Sequence, residues 1–152
     1  MQEGATDLHG SVRLVGRRPC SAAGPSFGAA LPPPSVPDKT PSSSLCRMNE
    51  LVLPNDTNTL GNLMGGRLLH FMDICSAIAA QRHSNRTVVT ASVDSVDFRA
   101  AVRLGEVVVL EATVNRAFTT SMEVGVDVWA EDNGTGTRRH CNRAYYTFAA
   151  VD

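Results

Sequence analysis

The chain has 152 residues, with 14 Lys and Arg against 15 Asp and Glu and a formal net charge of -1. That length suits one domain, or one domain with a tail. Near-neutrality removes the electrostatic case for a nucleic-acid binder, which needs a basic stripe, and no apolar run approaches the roughly 18 residues of a membrane span. Cys20, Cys46, Cys75 and Cys141 have no close spacing. They offer neither a zinc knuckle nor a redox pair, and a reducing, cytoplasmic compartment is the simpler expectation.

Proline marks the first boundary. Seven of the eight prolines lie at or before Pro41, and the last is Pro54. Residues 19–44 are mostly Pro, Ser, Ala and Gly, with neither a helical stripe nor strand alternation. Such a segment buries too little apolar area to offset chain ordering. Residues 1–44 are therefore expected to be a disordered or weakly attached extension, and 45–152 the domain. Arg13, Arg17 and Arg18 among Ser and Ala give the extension some transit-peptide character, against which Glu3 and Asp7 argue.

Residues 45–53 read as a first strand, closed by Pro54, and a loop rich in turn formers follows. From about residue 65 to 83, Leu68, Phe71, Met72, Cys75, Ile78 and Ala79 recur at three- and four-residue steps. That spacing predicts one long helix with an apolar stripe, ended by Ser84, Asn85 and Arg86. The remainder predicts strands. Residues 87–98 alternate through Val89, Ala91 and Val93; VVVLEATVNRA follows a turn at Gly105 and Glu106; SMEVGVDVWAE places Met122, Val124, Val126 and Val128 on one face; and EDNGTG is a hairpin signal before HCNRAYYTFAAV. One apolar helix against one long-stranded antiparallel sheet is a two-layer α+β domain, with a strongly curved sheet able to wrap the helix.

The informative polar groups belong to the helix. Gly65 and Gly66 stand at its start, where backbone N–H groups lack partners and the helix dipole adds positive character. Such a place suits a phosphate, or the oxyanion formed on a carbonyl under attack. Asp73 follows Gly66 by nearly two full turns, so the two share a face about 10 Å apart. Leu69, Ser76 and Ala77 flank that face. A carboxylate there is costly to bury unless it is hydrogen-bonded or functional, and it suits a general base. His70 and Asp73 have the spacing of a metal pair but lack a third ligand, so no metal is expected. Cys75 falls in the apolar stripe and reads as core. Asx turns account for several of Asn55, Asp56, Asn58 and Asn62 in the preceding loop, and one of them can orient water or a carbonyl.

The stretch LPNDTNTLGNLMGGRLLHFMD resembles the signature of hotdog-fold acyl-CoA thioesterases, in the branch of the brain-type and bacterial broad-range acyl-CoA hydrolases. VVTASVDSVDF, VRLGEVVVLEATV, TSMEVGVDVWAE and AYYTFAAVD resemble its later strands in order, so the likeness covers about residues 48–152. The resemblance implies a long helix wrapped by a curved antiparallel sheet, paired into a homodimer with active sites at the interface, and a trimer of dimers. It implies hydrolysis of acyl-CoA with Asp73 as general base or nucleophile, Asn58 from the facing subunit positioning water or the thioester, and Gly65 and Gly66 polarising the carbonyl. Coenzyme A is then part of the substrate, and no cofactor is needed. One departure stands out: where the family often reads GRTS, this chain reads AFTTS from Ala117 to Ser121. Thr120 and Ser121 remain candidate coenzyme A contacts, and Arg99 and Arg103 are the candidates to replace the missing arginine. The alternative is a non-catalytic acyl-CoA-binding module. A hotdog dehydratase would need His70 or His83 paired with a carboxylate across the interface.

Overall fold

The computed structural model describes residues 39–151. The expected extension lies outside the described residues apart from residues 39–44. There Pro41–Ser44 make a single helical turn, α1, and its last residue is buried. The Ser44 hydroxyl donates to the Pro41 carbonyl at 2.6 Å and accepts the Val114 amide at 3.0 Å. That amide lies two residues past Ala112, where the third strand's pairing with the first ends at Cys46, so the hydroxyl supplies a partner that the first strand no longer provides.

The remaining elements follow in the expected order: β1 (Cys46–Leu51), α2 (Gly65–Ser84), β2 (Thr87–Phe98), β3 (Val107–Ala117), β4 (Ser121–Glu131) and β5 (Arg138–Val151). The strands form one antiparallel sheet in the order β1-β3-β4-β5-β2. α2 packs on every strand of that sheet, which requires the sheet to curve round it. With 20 residues the helix is about 30 Å long. Asn85 ends it in the left-handed conformation at φ 53°, donating its amide to the Gln81 carbonyl.

The core is the contact between the helix stripe and the inner faces of the sheet. Leu68, Phe71, Met72, Cys75 and Ala79 are buried against Met122, Val124, Val126 and Val128 of β4 and their neighbours on β3 and β5. Each large apolar side chain so removed from water contributes roughly 1.5–3 kcal/mol. β4 alternates buried and half-buried along its whole length, as its sequence predicts. β2 does not. Val89 and Val93 stay 40% and 44% exposed. Among the described residues the strand is an edge, paired on one side only, with register shifts between Thr90 and Ser92 and between Asp94 and Asp97. Ser95 takes φ 50° inside the second shift.

Among the described residues, no helix is long and apolar enough to cross a membrane.

Candidate active site

The loop 52–64 delivers the chain to the start of α2. Asp56, 7% exposed, ties it down: one carboxylate oxygen accepts the Leu53 amide at 3.3 Å and the other accepts Arg67 Nε at 2.8 Å. The Arg67 guanidinium lies over the Phe71 ring, 4.7 Å from its centroid, which draws it back along the helix side. The Met64 amide donates to the Asp56 carbonyl and the Leu63 amide to the Val102 carbonyl. Among the described residues no side chain caps the helix start. Its first-turn amides therefore face outward with the positive end of the dipole behind them.

The two glycines at this start are not equivalent. A Cβ at Gly65 would meet the Phe98 ring at 3.4 Å, whereas one at Gly66 would meet nothing within 4 Å. At Gly65 that is an ordinary van der Waals contact with the aromatic ring, whereas Gly66 is the open position where a ligand atom can reach the backbone.

Asp73 lies nearly two turns further along the same unbroken helix, about 10 Å away on the same side. It is half-buried. Thr90 Oγ1 of β2 donates to Asp73 Oδ1 at 2.7 Å, a charge-assisted contact that fixes the carboxylate and leaves Oδ2 for another donor. Beneath it, the buried Tyr146 hydroxyl donates to the Leu69 carbonyl at 3.3 Å. Burial first, and the neighbouring Asp73 charge second, push the Tyr146 phenol up to about 12, so it stays protonated. Of the expected flanking residues, Ser76 is buried, while Leu69 and Ala77 are half-buried. Among the described residues no group of three or more His, Cys, Asp or Glu is placed to hold a metal.

Asn58 sits on the exposed loop, and its side chain closes that loop. Oδ1 accepts the amides of Leu60 at 2.9 Å and Asn62 at 3.2 Å. Both partners are donors, so the oxygen is committed and the side-chain NH2 is the group left to offer a ligand.

The substrate contacts expected from the sequence fall into two groups. Arg99 follows the end of β2 beside Gly65, with its guanidinium 3.6 Å from Asp97. Arg103 lies near it, bridged through its backbone to Asn62, its amide donating to Glu106. Thr120 and Ser121 belong to the β3–β4 turn near the opposite end of β2, where Ser121 is opposite Ala149 and Thr87 opposite Val151. Ser121 is level with Val89 through Ala149, and Phe98 is opposite Asn142, seven residues away along β5, so at about 3.3 Å per residue roughly 23 Å separates the two groups and they do not form one cluster within a chain. Thr90 is the residue that sequence reasoning missed. Its only signal is a polar β-branched residue in a strand, which has no meaning until strand and helix are docked.

The family model described as "Thioesterase superfamily" matches residues 60–137. The chain belongs to the thioesterase superfamily. Its antiparallel sheet wrapped on one long helix is the hotdog fold. "Uncharacterized acyl-CoA thioester hydrolase YkhA" of Bacillus subtilis is 39% identical over 75% of this chain and 69% of its own. Mouse "Acyl-coenzyme A thioesterase 11" is 41% identical over 68% of this chain, a match that spans only 18% of the mouse protein. An acyl-CoA hydrolase from Staphylococcus aureus, solved with butyryl coenzyme A, coenzyme A and coenzyme A disulfide, superposes with a TM-score of 0.72 at 38% identity, covering 75% of this chain and 70% of that one. Alanine variants of one Asn, one Asp and one Thr of that hydrolase have also been solved.

Proposed function

We infer that this thioesterase-superfamily chain hydrolyses acyl-CoA thioesters to a carboxylic acid and coenzyme A. The observation that carries the reading is the Asp73 carboxylate, held by Thr90 on the same helix side as the uncapped start at Gly66. The thioester carbonyl oxygen binds at the Gly66 amide, and Asp73 removes a proton from the attacking water or attacks the carbonyl itself. Negative charge gathers where unpaired N–H groups and the helix dipole favour it. Coenzyme A thiolate then leaves, a good leaving group that needs little acid assistance. The step draws on no metal or bound cofactor. The intervals between the three residues replaced in the S. aureus hydrolase are those that separate Asn58, Asp73 and Thr90 here, which supports giving all three a part in the reaction.

A second copy of the chain completes the site. β2 is a 12-residue edge with its outer side unpaired among the described residues, and it carries Thr90. Pairing two such edges forms a continuous sheet, relieves an exposed edge, and lets the Asn58 NH2 of one copy face Asp73 of the other. A similar solved structure is a hexameric acyl-CoA thioesterase, which supports further assembly as a trimer of dimers. The three cysteines among the described residues are buried and unbonded, in keeping with a reducing compartment such as the cytoplasm.

The test is release of free coenzyme A from a panel of acyl-CoAs by wild type, Asp73→Ala and Asn58→Ala. Loss of turnover by about a hundredfold or more in the Asp73 variant is expected. Equal rates would remove Asp73 from the mechanism. Tight acyl-CoA binding by wild type with no turnover would make the chain a binding module instead.

A further inference from the structure

The core contains a buried hydroxyl that the proposed chemistry does not use. Tyr146, 1% exposed, donates it to the Leu69 carbonyl at 3.3 Å. Resting on the thioesterase reading of the site, we propose that Tyr146 is a positioning residue: it anchors the helical turn from Leu69 to Asp73 onto the sheet and so sets where the Asp73 carboxylate stands.

The link between the two is a single carbonyl. In an α-helix the Leu69 oxygen accepts the amide four residues on, which is that of Asp73. The phenol donates to the same oxygen, so the acceptor of the Asp73 amide is tied to β5. Sharing one acceptor accounts for a bond longer than the roughly 2.7–2.8 Å usual between oxygens. The ring itself is held on several sides. Tyr146 is opposite Val124 of β4 and Val93 of β2, and it stacks on Phe148 at 6.2 Å between centroids and 18° between planes. Phe148 is in turn opposite Thr90, which donates to Asp73 Oδ1. Successive inward residues of β5 therefore stand under both supports of the carboxylate, Tyr146 under its helical turn and Phe148 beside its hydrogen-bond donor. Tyr146 is closed off from solvent within one chain, so the arrangement does not depend on what pairs with β2.

Phenylalanine would fill the same space with no polar atom to satisfy, as it does at Phe148. What the hydroxyl adds is direction. Apolar burial is non-directional, whereas a hydrogen bond has a preferred distance and angle. A reacting group misplaced by about 1 Å can lose about a hundredfold in rate. Burial first, and the Asp73 charge second, push the phenol up to about 12. It therefore stays a neutral donor at working pH and is not itself the base.

Tyr146→Phe deletes the hydroxyl and keeps the ring. With acyl-CoA as substrate, kcat is expected to fall by about fivefold to thirtyfold with KM changed by less than about twofold. The factor should be constant from about pH 6 to about pH 9, because the phenol does not titrate there. Val124→Ala, a cavity in the same floor with no hydrogen bond removed, should lower the urea midpoint further than Tyr146→Phe does, yet hold kcat within about twofold. An unchanged kcat in Tyr146→Phe overturns the proposal. So does a kcat that merely follows the urea midpoint across the two variants, or a factor that varies with pH. Amide hydrogen exchange reads the anchor without turnover. In Tyr146→Phe the amides of residues 70–74 should exchange at least about threefold faster relative to those of β4, and equal relative protection overturns the anchor. Wild-type turnover by Asp73→Ala would instead remove the catalytic reading, and faster exchange in Tyr146→Phe would then still show the anchor.

Discussion

In the proposed reaction the Asp73 carboxylate accepts a proton from water and must be aimed, and the contact that can aim it is the one from Thr90. The Oγ1 to Oδ1 hydrogen bond of 2.7 Å joins the middle of α2 to the sheet edge. Replacing Thr90 with Val keeps the β-branched shape that suits the strand and deletes only the donor. A hydrogen bond to a charged group contributes roughly 1.5–3 kcal/mol. If it acts on orientation in the transition state, kcat should fall by about tenfold to a hundredfold with KM changed by less than about threefold. Steady-state kinetics of Thr90→Val decide this, and an unchanged kcat would reduce Thr90 to a structural contact. At this scale, what is legible in the sequence is whatever sits on one helix. Gly66 and Asp73 can be placed on one face from the helical repeat alone. Thr90 cannot, because its contact with Asp73 spans two elements and depends on register shifts that no local pattern in β2 reveals. The distinction between Gly65 and Gly66 is hidden for the same reason, since it rests on where the Phe98 ring lands.

Elements carry the site only as well as they are braced, and the segment 99–106 between β2 and β3 is braced by one ion-pair network. Glu106 is 8% exposed. Its carboxylate accepts Arg139 Nη1 at 2.7 Å, Nη2 at 2.5 Å and the Arg103 amide at 2.7 Å, and Arg139 also donates to the Ala101 carbonyl at 2.9 Å. The Arg139 hydrogen bond above all, with burial opposing it and the Arg103 amide assisting, holds Glu106 below the usual glutamate range. A carboxyl lowered on folding contributes stability that is complete above its unfolded pKa and is lost as pH falls through its folded pKa. Glu106→Gln should therefore lower stability near pH 7 by roughly 1–2 kcal/mol, a figure kept small because the Arg139 side chain is 41% exposed. The gap to wild type should close as pH is taken below the ordinary glutamate range. Urea unfolding at pH 7, 5 and 3 measures both, and a gap that stays constant with pH would show that the loss is one of packing. The sequence marks Gly105 and Glu106 as a turn, which they are, but the turn's anchoring to β5 is a long-range pairing beyond such a reading. β4, by contrast, is fully legible, because an interior strand covered on one face imposes strict alternation. β2 blurs because an edge strand answers to fewer neighbours.

On the scale of the whole molecule, one chain holds Asp73 and Thr90 together but commits the Asn58 oxygen to its own loop, leaving an NH2 group that must find its ligand elsewhere. If two chains pair through β2, each site draws Asp73 from one copy and Asn58 from the other, and a two-fold axis repeats the arrangement. That geometry has a consequence no single-chain site shares. Asp73→Ala and Asn58→Ala homodimers each lack one essential group in both sites. A heterodimer of the two variants has one site missing both groups and one site fully intact. Unfolding the two inactive variants together and refolding them at equal concentration yields half heterodimers, so turnover should return to about a quarter of the wild-type value. The two refolded separately and then combined should stay inactive for as long as the dimers do not exchange. Coenzyme A release and mass by light scattering, measured on the same samples, report site and assembly independently. Dimers that form and remain inactive after co-refolding would place Asn58 and Asp73 of one chain in the same site. Monomers would show that β2 stays an open edge.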